Sequence, residues 1–290
     1  MTFRDVLKER IHHDIGFDFF LKDGAPRLQF NIIFKENAVV CGTVFIPTIV
    51  KVVNDEFFLE SAEDESKPQI KLIKKDGENV SVGEIVAELY GNAEVLLKAE
   101  RTICNFLSEL SGIATHVRRN QKILGDKFSL KSVFLLDTRK DDPLMRAEHK
   151  YAVRIGGARN HRFGFFDGIL IKDNDIAVYG GISRAIDRRL SEARFLTRVE
   201  IEVGNLDNLK EVLIDGRVDA ILLDNMSTDM LGKAVDMISK SGKSYLIEAS
   251  GVREEDISEV SKTGVNFISL SALVRKAPFI DVSMKAVDPL

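Results

Sequence analysis

Val133-Phe134-Leu135-Leu136 runs directly into Asp137-Thr138-Arg139-Lys140: an apolar run delivers an acid, a hydroxyl and paired cations. The same event recurs downstream. Ile169-Leu170-Ile171 precedes Lys172-Asp173-Asn174, and Ala220-Ile221-Leu222-Leu223 precedes Asp224-Asn225. Leu246-Ile247 precedes Glu248-Ala249-Ser250-Gly251, Phe267-Ile268 precedes Ser269-Leu270-Ser271, and Val199-Glu200-Ile201-Glu202-Val203 carries its acids within the run. Short apolar runs bounded by turn residues read as buried parallel strands. Ionisable residues collected at their C-terminal ends mark the active-site face of an α/β barrel. Helices between the runs, crossing over right-handed, curl such a sheet into an open, incomplete barrel. The pattern predicts an enzyme.

Upstream the reading changes. Residues 1–24 alternate charged and apolar positions as a helix does, with Phe17, Phe19 and Phe20 near its end. Strands are expected over Leu28–Phe34 and Ala38–Phe45, with Glu36-Asn37 as the turn between them, and again over Ile70–Lys74 and Ile85–Tyr90. Pro47 suits the first turn of a helix through Val53. Glu60 to Glu65, without an apolar face, reads as an exposed loop. A helix follows from Ala93 to about Leu110, with a second helical stretch after Gly112. The first hundred residues thus form an α+β unit.

At 290 residues, 44% of them hydrophobic, the chain can build a full barrel core. A net charge of −4 leaves no basic excess for nucleic acid or an anionic membrane, so any anion site must be local. Met1 to Asp14 has no apolar core of a secretory signal, and Ala38 to Val53 is interrupted and too short to span a bilayer. A cytoplasmic protein is expected. Cys41 and Cys104, the only cysteines, lack metal-ligand spacing and read as buried small hydrophobes.

The chemistry is densest between Asp137 and Asn174. A solvated helix over Pro143–Ile155 accounts for Lys150 and Arg154. It does not account for Arg139, Lys140 and Lys172, which leave their strands at the barrel mouth. Gly156-Gly157-Ala158-Arg159-Asn160-His161-Arg162 joins flexible backbone to guanidinium groups suited to bidentate recognition of carboxylate or phosphate. Its cationic neighbours should hold His161 near neutral or make it a donor to an anion. Glu200 and Glu202 share one face of a strand and, with Asp224, supply carboxylates for Mg2+, a ribose or proton handling, or a salt bridge to Lys172 or Lys140. Ser250-Gly251 and Ser269 to Ser271 offer hydroxyls and N–H groups at the last strand ends, where barrels hold phosphate. Arg101 reads from spacing alone as a helix-surface residue paired with Glu94 or Glu100.

Taken in order, Ala99-Glu100-Arg101-Thr102, Asn105-Phe106-Leu107, Leu110-Ser111-Gly112, Asp137-Thr138-Arg139-Lys140, Asn160-His161-Arg162, Lys172-Asp173-Asn174, Glu200-Ile201-Glu202, Leu223-Asp224-Asn225 and Glu248-Ala249-Ser250-Gly251 resemble the quinolinate phosphoribosyltransferases, type II phosphoribosyltransferases also called carboxylating nicotinate-nucleotide pyrophosphorylases. The resemblance runs from about residue 93 to 283. It implies transfer of phosphoribosyl from phosphoribosyl pyrophosphate to quinolinate with loss of CO2 and pyrophosphate. It also implies an α/β sandwich domain of residues 1–112 and 275–290, a barrel domain of residues 113–274, and a homodimer in which Arg101 enters the partner's site. By motif, Arg101, Arg139, His161 and Arg162 would bind the dicarboxylate, and Lys140 and Lys172 would reach carboxylate and phosphates. Glu202 and Asp224 would hold Mg2+ and ribose hydroxyls, with Ser250, Gly251 and Ser271 on the 5′-phosphate.

The chain departs from the family pattern in several places. Asp141-Asp142-Pro143-Leu144-Met145-Arg146 replaces threonines and Pro-Gly-Leu-Arg, Ala158 a glycine, Asp175 a histidine, and Val252 and Ser271 glycines of the phosphate cradle. The altered cradle motivates one alternative, a paralogue that binds another anion; a second keeps the barrel but changes the reaction to that of an aldolase-like enzyme with Lys172 as a Schiff-base lysine.

Overall fold

The computed structural model describes residues 3–16, 25–57, 67–125 and 133–287. Phe17, Phe19, Phe20 and the acidic stretch Glu60 to Glu65 lie outside them. In chain order the elements are α1 (Phe3–Ile15), β1 (Arg27–Phe34), β2 (Ala38–Val39), α2 (Ile46–Phe57), β3 (Gln69–Leu72), β4 (Asn79–Val80), β5 (Ile85–Asn92) and α3 (Ala93–Ile123). There follow β6 (Phe134–Leu136), α4 (Arg146–Gly156), β7 (Ile169–Ile171), α5 (Asp173–Tyr179), α6 (Ile182–Glu192), β8 (Val199–Val203), α7 (Leu206–Asp215) and β9 (Ala220–Asp224). The last are α8 (Thr228–Lys240), β10 (Leu246–Ser250), α9 (Ile257–Val260), β11 (Phe267–Ser269), α10 (Ala272–Arg275) and β12 (Val282–Ala286). They form two compact units, Met1–His116 with Ala277–Leu290, and Val117–Lys276.

In the first unit the antiparallel sheet β12-β1-β5-β3 takes its edge strand from the C-terminal segment. Phe30, Ile32 and Phe34 alternate along β1 and are buried, the period of a sheet with one covered face. The long strand expected over Ala38–Phe45 is not formed. β2 stops at Val39 because the next amides find other acceptors: Cys41 N–H donates to Ser111 Oγ, and the Gly42 and Thr43 amides donate to the Asp76 carboxylate. Gly42, at φ 107°, makes the corner into a 3-10 turn. The break expected near Gly112 is also absent, α3 being one continuous 31-residue helix. The glycine serves close approach instead, since a Cβ there would stand 1.8 Å from the Pro278 carbonyl oxygen. Cys41 and Cys104 are free and buried.

The second unit is built on a six-stranded parallel sheet, ordered β6-β11-β10-β9-β8-β7. β6 and β7 are not paired among the described residues, so the barrel is open along that seam. Beside β6 the chain returning from α4 makes a parallel bridge, Leu136 to Arg159. Register puts Ser250 across from Asp224 and Glu248 across from Leu222, which brings the C-terminal strand ends level with one another.

Helix α4 corrects two expectations. It begins at Arg146 because Asp142 turns the chain, its carboxylate accepting from Leu144 N–H. Lys150 is not solvated: it is fully buried and ion-paired, while Arg154 is exposed.

Candidate active site

Asp137, where β6 ends, organises the loop that follows α4. Its Oδ1 accepts from Lys150 Nζ at 2.6 Å and from the His161 amide at 2.8 Å, and its Oδ2 accepts from Asn160 Nδ2 at 2.7 Å. Lys150 Nζ also donates to the His161 carbonyl. Asn160-His161-Arg162 is therefore hung on a buried ion pair, and side chains that would wander on a free loop take fixed places.

Around that loop a cavity of about 530 Å3 lies at the C-terminal ends of the strands, and Arg139, Lys140, His161, Arg162, Lys172, Glu202, Asp224, Ser250, Gly251 and Ser269 all border it. Arg139 and Arg162 approach one aromatic ring, that of Phe165, at 4.3 and 5.1 Å from its centroid. Arg162 Nη1 donates to the Gly168 carbonyl, whereas Arg139 Nε is buried without a hydrogen-bond partner among the described residues. Burial and the adjacent Arg139 charge together lower the pKa of Arg162. A guanidinium pair kept close despite its repulsion is a standing invitation to an anion.

Lys172 Nζ pairs with Glu202 Oε2 at 2.7 Å, the salt bridge weighed for one of the strand glutamates. Asp224 Oδ2 accepts from Asn225 Nδ2 at 2.6 Å. Asn225 has a left-handed backbone, φ 53°, and presses against Gly251: a Cβ on Gly251 would stand 2.1 Å from Asn225 Oδ1. Gly251 itself sits at φ 74°, so this corner admits no side chain.

Beneath the mouth, His161 Nε2 lies 3.2 Å from Glu200 Oε2 and 3.5 Å from Glu248 Oε2, while Nδ1 accepts the Arg162 amide at 2.7 Å. Of the two expectations, a histidine held near neutral by cations or a donor to an anion, the contacts agree with the second, the anions being Glu200 and Glu248. Burial opposes its charge, but the Glu200 hydrogen bond and the Glu248 and Glu200 charges outweigh that, and its pKa is raised. Both imidazole nitrogens are already engaged.

Not every expected residue joins the mouth. Glu200 borders instead a second cavity of about 430 Å3, reached from the strand beginnings at Ala220, Leu246 and Phe267. Ser271 is absent from the lining, its carbonyl taken by the Val274 and Arg275 amides at the start of α10. Arg101 is exposed on α3 in the first unit, beside a recess that it shares with Glu36, Asn105 and Phe279. The departures from the family pattern have local roles: Asp141 takes a bidentate bond from Arg146, and Asp175 accepts from the Lys172 amide and from Arg189. Glu248, Asp137, Asn160 and Phe165 also belong to the site, and residue spacing alone does not reveal them. Glu248 carried a signal, an acid inside the apolar run Leu246-Ile247-Glu248-Ala249.

An open parallel barrel whose mouth sets cations against carboxylates defines a barrel enzyme for anionic substrates. Comparison with known proteins narrows the class. Residues 5–111 match the N-terminal domain and residues 113–285 the C-terminal domain of quinolinate phosphoribosyl transferase. The chain is 36% identical to a probable carboxylating nicotinate-nucleotide pyrophosphorylase of Bacillus subtilis, over 96% of this chain and 92% of that one. It is 33% identical to a protein of the same description from Synechocystis, over 97% and 91%. Among solved structures, the nicotinate-nucleotide pyrophosphorylase of Francisella tularensis superposes with a TM-score of 0.83 at 31% identity, covering 99% of this chain and 98% of that one. The chain belongs to the quinolinate phosphoribosyltransferase family.

Proposed function

We infer that this enzyme transfers phosphoribosyl from phosphoribosyl pyrophosphate to quinolinate, releasing pyrophosphate and CO2 and forming nicotinate mononucleotide for NAD synthesis. The observation that carries this is the Arg139–Arg162 pair on Phe165, with an Arg139 Nε that is buried and unpartnered among the described residues, beside Lys172–Glu202 and Asp224 in one cavity. A planar dianion matches the two forks. Lys140 and Lys172 would neutralise phosphate, and the Ser250-Gly251 turn and Ser269 hydroxyl would meet the 5′-phosphate where no side chain obstructs the backbone. As pyrophosphate departs, positive charge develops on the ribose, and fixed carboxylates nearby stabilise it.

The site suits Mg2+. Glu202 and Asp224 each commit one oxygen to a neighbour, and the second oxygen of each carboxylate is a hard donor of the kind a divalent cation takes. Bound there, Mg2+ would screen the charge of the leaving pyrophosphate. A cytoplasmic homodimer with Arg101 donated across subunits is part of the same proposal. The Schiff-base alternative is disfavoured because the Glu202 carboxylate beside Lys172 suits a cation rather than an uncharged nucleophilic amine.

The test is formation of nicotinate mononucleotide by purified protein with quinolinate, phosphoribosyl pyrophosphate and Mg2+. Turnover is expected, with R139A and R162A each raising KM for quinolinate. No product under conditions where the Bacillus subtilis relative turns over would overturn the reading.

A further inference from the structure

Loss of CO2 exchanges a ring C–C bond for a C–H bond, so each turnover must bring a proton to a carbon enclosed by the enzyme. Arginines cannot give one. Below them stands a group that can. Glu248 is 3% exposed, borders both the mouth and the lower cavity, and leaves Oε1 without a hydrogen-bond partner among the described residues. Its Oε2 faces His161, which faces Glu200 in turn, all within 4.8 Å. Two carboxylates closed against one imidazole, whose Nδ1 accepts the Arg162 amide and leaves only Nε2 to face them, hold more negative charge than the ring can offset, and a proton on one carboxylate relieves it. The Arg162 guanidinium, whose charge reaches both His161 and Glu200, makes a proton, not a divalent cation, the fitting occupant. Burial and the Glu200 charge push Glu248 up to about 8, against the opposing His161 charge and Ser269 hydroxyl.

We propose that Glu248 is a catalytic acid that protonates the ring carbon vacated by CO2, with His161 and Glu200 holding it in place. The inference rests on the quinolinate reading above. In the step the bond between ring carbon and carboxylate breaks, its electron pair stays on the carbon, and CO2 leaves. Until that carbon is protonated the electron pair can recapture CO2; the Glu248 O–H bond then breaks, its proton forms the new C–H bond with that pair, and the loss of CO2 becomes irreversible. Water in the lower cavity, at the opposite ends of the strands, returns the proton while the mouth is still filled.

The test follows both products of a single turnover. Glu248→Gln keeps the side chain's shape but has no transferable proton. Pyrophosphate should be released within about threefold of the wild-type rate, whereas CO2 release slows about a hundredfold and the dicarboxylated nucleotide accumulates. In equal H2O and D2O, the deuterium fraction at the new C–H bond should also differ between variant and wild type, because the donor has changed. Parallel loss of both products, or no loss of either, would overturn the proposal. Should Glu248→Gln not fold, Glu248→Asp carries the test, since a displaced acid must slow CO2 more than pyrophosphate. Failure of the wild type to release pyrophosphate from quinolinate and phosphoribosyl pyrophosphate would instead remove the underlying reading.

Discussion

Lys150 Nζ lies 2.6 Å from Asp137 Oδ1, and both side chains are 1% exposed. A buried ion pair is costly to assemble and costlier to halve, because the survivor is left charged in a poor solvent. K150M should therefore lose about 3–5 kcal/mol of stability, and K150M/D137N should recover part of it. Urea unfolding of the single and double variants measures both. The pair also carries the His161 amide and carbonyl, so the double variant should still show a raised KM for quinolinate.

G251A places a methyl where Asn225 Oδ1 now sits and forces a side chain onto a left-handed residue. The conformational cost alone is about 1–2 kcal/mol. Asn225 must withdraw, and with it the bond that its Nδ2 gives Asp224. The expected result is a rise in KM for phosphoribosyl pyrophosphate and in the Mg2+ needed for half-maximal rate, with KM for quinolinate little changed. Initial-rate titrations separate the three.

Protonation links this site to stability. His161 and Glu248 both have folded pKa values above their ordinary ones, so the folded protein binds more protons than the unfolded chain and stability falls as pH rises. For Glu248 the contribution is complete below about 4.5 and is lost as pH passes about 8. For His161 the loss begins above 6.5. Urea midpoints of the wild type should decline between pH 6 and about 9, and E248Q should flatten that decline, gaining on the wild type at the alkaline end. A wild-type midpoint that rises over this range would contradict the sign.

The barrel was legible because burial on both faces leaves uninterrupted apolar runs, and each run's last residue has nowhere to go but the rim. Arg139, Lys140, Lys172 and Asp224 are therefore readable from position alone. Glu200 was harder: period-two alternation puts it on the same face as Glu202, but only the pairing of β8 with its neighbours shows that one acid meets the mouth and the other the cavity below. Lys150 misled for a related reason. A lysine on a helix of mixed charge reads as solvated unless its partner is known, and Asp137 lies on a different element, joined by tertiary structure. Gly112 looked like a helix break because close approach to Pro278 leaves no trace in local sequence.

Arg101 decides whether the active site is shared between subunits. It is exposed on α3 in the first unit, and the proposal is that it serves the barrel of a second copy. If so, R101A and K172A damage different contributors to one site. Each homodimer should be nearly inactive, while a mixture refolded or exchanged at equal ratio should recover about a quarter of wild-type activity, because half the dimers are mixed and each mixed dimer holds one intact site. The mixture's activity against subunit ratio should peak at equality. A mixture no more active than its components, with subunit exchange verified by mass, would place Arg101 in its own subunit's chemistry or outside the chemistry altogether.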